Sequence, residues 1–151
     1  AQALFPHLSL RFKGKSISEN IALLKKISLP FSMVVVFITI MVFIFAPLII
    51  KILCGDDFVA SVPLVRIMTL VILFGEINYL IGIVGLINMN GQSYFFRSVI
   101  VAGVFSVTYV LLLLPHYGVN IAAWAMSLAE ILLFLLCLLS LYRITKHNGG
   151  R

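Results

Sequence analysis

Hydrophobic positions along this chain come in four long runs broken by short polar stretches. Between Lys26 and Lys51 lie 24 residues without a charge, and between Arg97 and Arg143 lie 45 with only Glu130. A bilayer core about 30 Å thick is crossed by roughly 20 apolar residues rising about 1.5 Å each. The pattern therefore predicts an all-α, polytopic membrane protein with four transmembrane helices, over 29–53, 64–89, 98–114 and 119–142. Turn signals fall between the spans: Gly55-Asp56-Asp57, then Asn88-Met89-Asn90-Gly91, then Pro115-His116-Tyr117-Gly118. Connections this short make neighbouring helices antiparallel. Pro30 falls in the first turn of its predicted span, where a missing N–H is harmless, and Pro47 is placed to bend the last two turns.

Ahead of the first span, Ile17, Ile21, Leu24 and Ile27 recur at helical spacing beside Lys25 and Lys26. This predicts a surface helix within a cytoplasmic lead-in, 1–28, and the alternative is a plain solvated segment. Residues 143–151 form a short polar tail. Composition agrees with the membrane reading: 62% of residues are hydrophobic and 11% charged, and the mean hydropathy of +1.18 excludes an aqueous domain. The formal net charge of +6 therefore matters by position. Arg11, Lys13, Lys15, Lys25, Lys26, Arg97, Arg143, Lys146 and Arg151 fall on one side of the predicted membrane, against Lys51 and Arg66 with Asp56 and Asp57 on the other. The positive-inside rule places both termini in the cytoplasm. Tyr117 and Trp124 near one end of the last span, and Tyr142 near the other, fit interfacial aromatic belts.

The second span carries the most informative internal pattern. Gly75, Asn78, Gly82 and Gly85 are separated by three, four and three residues, one face of an α-helix, which reads as a helix-packing seam. Glu76 and Arg66 lie on the other half of that helix and are candidates for a polar cavity; roughly 15 Å apart along the axis, they do not pair within the helix. Arg66 either snorkels outward or meets another helix. On the fourth span Ala123, Ser127, Glu130 and Cys137 share a side, so Glu130 is expected to point inward. A carboxylate within a span costs roughly 2.5–3.5 kcal/mol on insertion scales. Glu76 and Glu130 are therefore candidates for ion coupling, weighed against hydrogen-bonded structural roles.

Aqueous-enzyme chemistry finds no foothold. His7, His116 and His147 are scattered, Cys54 and Cys137 sit on different predicted helices, and there is no metal-ligand spacing, phosphate loop, nucleophile elbow or paired carboxylates. No enzyme, cofactor or metal is expected. The basic residues flank membrane spans and are explained by topology or anionic headgroups, so no nucleic-acid partner is expected. No signal peptide is visible, and an opening Ala1 in place of Met points to a fragment of a longer protein.

The order of landmarks resembles a known family. Phe45-Ala46-Pro47-Leu48-Ile49-Ile50-Lys51-Ile52-Leu53-Cys54-Gly55, then Phe58, Ser61 and Leu64-Val65-Arg66-Ile67-Met68, look like the C-terminal region of Wzx-type O-antigen and polysaccharide flippases. These belong to the multidrug/oligosaccharidyl-lipid/polysaccharide exporter superfamily. Gly91, Leu114-Pro115-His116-Tyr117-Gly118, Ala122-Ala123 and Ala129-Glu130 continue the resemblance, as does the opening Gln2-Ala3-Leu4-Phe5-Pro6 with Ser9. Ile121 departs from it, standing where the family usually has glycine. The resemblance implies the last four helices of a two-lobed transporter of twelve or more helices in the bacterial inner membrane. That transporter flips undecaprenyl-diphosphate-linked oligosaccharide by alternating access. It also implies that the preceding helices, and possible polysaccharide polymerase machinery, are partners, with Arg66, Arg97 and Glu76 as cavity candidates. Two other classes stand beside it: a small four-helix membrane scaffold or assembly subunit, and a membrane enzyme, for which only Asp56 and Asp57 offer a polar cluster.

Overall fold

The structure, a computed structural model, describes residues 15–148. The helices are α1 (Ile17–Cys54), α2 (Val62–Asn78), α3 (Gln92–Tyr117) and α4 (Asn120–Asn148). A 3₁₀ segment, Asp56–Ser61, joins α1 to α2; α2 is prolonged by a π-helical stretch, Tyr79–Leu86, and a 3₁₀ turn, Ile87–Met89. Four helices, α2 counted with its flanking segments, are long and apolar enough to cross a membrane, which makes this a multi-pass helical membrane protein. The Gln2 to Ser9 stretch, with Arg11, Lys13 and Arg151, lies outside the described residues.

Helix α1 begins at a reciprocal cap. The Glu19 N–H donates to Ser16 Oγ at 3.3 Å, while the Ser16 N–H donates to Glu19 Oε2 at 2.8 Å. From there the helix runs 38 residues without a break, about 57 Å at its rise per residue. The helical stretch expected ahead of the first span is thus the first part of α1. The reason is its apolar stripe: Leu24 is buried against Leu80, Val84 and Met89, with Ile17, Ile21, Ile27 and Phe31 alongside. Pro30 consequently sits in the helix interior, not in a first turn, and denies the Lys26 carbonyl its intrahelical donor.

The other helices also outrun their apolar stretches. Helix α3 continues through Pro115 to Tyr117, and the expected four-residue turn contracts to Gly118 and Val119. Gly118 adopts φ +74° and its N–H donates to the Leu114 carbonyl, a backbone geometry that glycine takes without strain. Gly55, at φ +92°, ends α1 in the same way.

Packing runs in the spatial order α1, α2, α4, α3, with α2 and α4 as the inner pair. The core sits at the π-helical end of α2, which touches all three other helices. There Leu80, Val84 and Leu86 are almost fully buried, and Leu86 and Ile81 pack with Cys137 and Ile144 of α4. Outward faces carry Met33, Phe37 and Leu48 on α1 and Val104, Val107 and Leu111 on α3, all exposed and suited to apolar surroundings.

Candidate functional site: polar side chains inside the bundle

Two polar contacts join α2 to α4. Asn78 Nδ2 donates to the Glu130 backbone carbonyl at 2.9 Å and to Glu130 Oε2 at 2.8 Å, so one amide grips both the main chain and the side chain of its partner. One turn earlier on α4, Ser127 Oγ lies 3.0 Å from the Ile67 carbonyl of α2 and 3.0 Å from the Ala123 carbonyl of its own helix, sharing one proton between them. Gly75 faces the same carboxylate: a Cβ built there would lie 3.8 Å from Glu130 Cδ, an ordinary contact distance. Glu130 therefore points into the bundle, toward α2. Asn78 is 3% exposed, and its Oδ1 finds no donor among the described residues.

The four residues of the expected seam do not share one face. Gly75 and Asn78 meet Glu130 on α4, Gly82 meets Phe95 on α3, and Gly85 meets Leu24 on α1. The cause is the π-helical stretch, in which the Ile87 N–H bonds back five residues to the Gly82 carbonyl. Its wider turn rotates every later side chain off the α-helical register. Among the glycines of the seam, close approach is confined to Gly82, against α3, and Gly85, against α1.

Arg66 meets another helix. Its Nε donates to the Phe43 carbonyl of α1 at 3.4 Å, and its guanidinium carbon stands 5.2 Å from the centre of the Phe43 ring. That carbonyl is the one Pro47 leaves open, because proline lacks the N–H that would bond back four residues. Arg66 thus replaces a missing helix hydrogen bond and stacks a cation on an aromatic face. Replacing Arg66 with leucine is expected to cost about 1 kcal/mol. Most of that loss should vanish in the Pro47→Ala background, where the new alanine supplies the N–H. Equal losses in both backgrounds, measured by unfolding in detergent, would refute the carbonyl role.

Glu76 is half-buried in the wall of a cavity of about 280 Å³ between α1 and α2, beside Phe31, Val34, Val35, Ile38 and Ile72. Arg66 borders a separate space of about 450 Å³ with Phe43, Thr69, Leu70 and Trp124. Arg97 is exposed at the start of α3 and borders a third, next to Arg143. The three cavity candidates therefore line three different spaces, and the first two are walled mainly by apolar side chains. Among the described residues, the three do not border one common space.

Two features were out of reach of the sequence reading. Asn78 reads there as a small packing residue, whereas it is the donor that holds Glu130; an amide inside one span and a carboxylate inside another were the available signal. The pairing of Arg66 with the Pro47 site needed the third dimension, since a proline marks which carbonyl is freed but not which side chain reaches it. Among the described residues no group of three His, Cys, Asp or Glu side chains is placed to hold a metal ion.

Comparison with protein-family models, curated proteins and solved structures finds no match to this chain. Its class is defined by the fold: a helical multi-pass membrane protein with a carboxylate-amide contact between its inner helices.

Proposed function

We propose that this chain is the C-terminal four-helix unit of a flippase that moves lipid-linked oligosaccharide across a bacterial inner membrane. The preceding helices would complete the two-lobed transporter. The observation that carries this reading is the placement of Glu76. A carboxylate that costs roughly 2.5–3.5 kcal/mol to insert sits half-buried in a cavity wall between α1 and α2. Such an expense is commonly retained for ion coupling. The substrate class rests on the resemblance to Wzx-type flippases, whose landmarks run from Gln2 to Glu130. The positive-inside rule favours termini on the cytoplasmic side: Lys15, Lys25, Lys26, Arg97, Arg143 and Lys146 gather at one end of the bundle, and Lys51, Asp56 and Asp57 at the other.

The test uses the complete gene in cells lacking their own exporter. Glu76→Gln keeps the side-chain shape and removes the charge, and it is expected to lower surface polysaccharide at least tenfold with unchanged protein in the membrane. Full export by Glu76→Gln would remove Glu76 from the mechanism. An immunoblot against the C-terminal tail separates the flippase from the four-helix scaffold: the transporter predicts a band about three times the 16.8 kDa of this chain.

A further inference from the structure

We propose that the groove between the start of α3 and the end of α4 is a binding site for an anionic glycerophospholipid of the surrounding bilayer. Its upper part is a cleft of about 740 Å³ bordered by Asn90, Tyr94, Tyr142, Arg143 and Lys146. A second space of about 190 Å³ adjoins it, sharing Tyr94 and Arg143 and adding Arg97. Three cations from two helices therefore border these two adjoining spaces, together with two phenol groups and an amide. The combination suits a phosphate diester: the guanidinium groups supply paired donors, and the tyrosines and asparagine supply further hydrogen bonds.

Counter-charge is scarce at this end. The described acidic residues are Glu19, Asp56, Asp57, Glu76 and Glu130. Asp56 lies at the opposite end, 3.0 Å from Lys51 Nζ, with Asp57 next to it in the chain. Glu130 is held by Asn78, Glu76 faces α1, and Glu19 is tied to Ser16 in the cap. None of the five borders the groove.

The lower part of the groove argues for a lipid over a free anion. Below Arg97 and Arg143 the walls become Val101, Leu136 and Leu139, with Val101 and Leu139 about half exposed. Ser98 and Ser140, small and buried, let the two helices close behind this trough, and each hydroxyl is satisfied by its own helix at 2.9 Å and 2.8 Å. A charged mouth above an apolar trough at the end of membrane-spanning helices has the shape of a headgroup with an acyl chain beneath it. This inference needs only a bilayer and does not depend on the transport reading.

The experiment is native mass spectrometry of the full chain released from nanodiscs containing equal phosphatidylglycerol and phosphatidylcholine. The wild-type chain should retain phosphatidylglycerol preferentially. The Arg97→Gln/Arg143→Gln double variant should lose that retention roughly thirtyfold, the product of two near-surface cations, while Lys51→Gln at the other end leaves it unchanged. Leu139→Trp, which keeps every cation and blocks the trough, should also lower it. The site is refuted if the double variant retains phosphatidylglycerol like the wild type, or if Lys51→Gln loses as much. A lipid occupant is refuted if inorganic phosphate at millimolar concentration displaces it, or if Leu139→Trp has no effect. Both refuting arms remain readable because the altered side chains are exposed and circular dichroism reports the helices.

Discussion

Gly82→Ala will destabilise the bundle by about 1–3 kcal/mol, the usual range for forcing extra volume into a packed interior. A Cβ at Gly82 would lie 2.6 Å from Phe95 Cδ2 and 3.1 Å from Cζ, and closer still to Cε2. The ring must therefore move, at the point where the π-helical stretch touches α3. Phe95→Leu in the same chain shortens the obstructing group, so the double variant should lose at least about 1 kcal/mol less than the sum of the two single changes. Gly75→Ala is the internal control: its Cβ would meet Glu130 at ordinary contact distance, 3.8 Å, and alanine is the better helix former. It should cost less than about 0.5 kcal/mol. Strict additivity of the Gly82 and Phe95 changes in denaturation of the detergent-solubilised protein would show that their contact carries no energy.

Asn78→Leu is expected to cost about 1–2 kcal/mol, because it removes the donor to both oxygens of Glu130 and leaves a carboxylate facing an apolar wall. Glu130→Gln should be nearly neutral, since its amide oxygen accepts the same bond from Asn78. Removing both partners as Asn78→Leu/Glu130→Leu should recover much of the loss, as expected when a polar pair is replaced by apolar groups of similar volume. If Asn78→Leu and Glu130→Gln cost the same, the geometry of this pair is not what holds α2 to α4.

The membrane character of this chain was legible because hydropathy is a local property. Each residue's transfer cost adds along a run, whatever the neighbouring helices do. The inward aim of Glu130 was legible for a related reason: on an α-helix, Ala123, Ser127 and Glu130 share a side, and the cheapest place for that side is against protein. Helix ends were less legible. The apolar run stops where lipid stops, but hydrogen bonds continue, so α1 reaches back to Ile17 and α4 extends through the basic tail to Asn148.

What the sequence determined by itself is the all-helical membrane-spanning class and the asymmetric charge at the helix ends, both sums over residues that need no partner. Tertiary structure decided which neighbour each polar or small side chain meets. A π-helical register sent Gly82 to α3 and Gly85 to α1. The crossing of α1 and α2 brought Arg66 to the carbonyl freed by Pro47. The approach of α3 to α4 set Arg97 beside Arg143. Such contacts depend on the angle and depth at which helices meet, and in lipid those follow from packing and hydrogen bonds between distant residues, which no run along the chain contains.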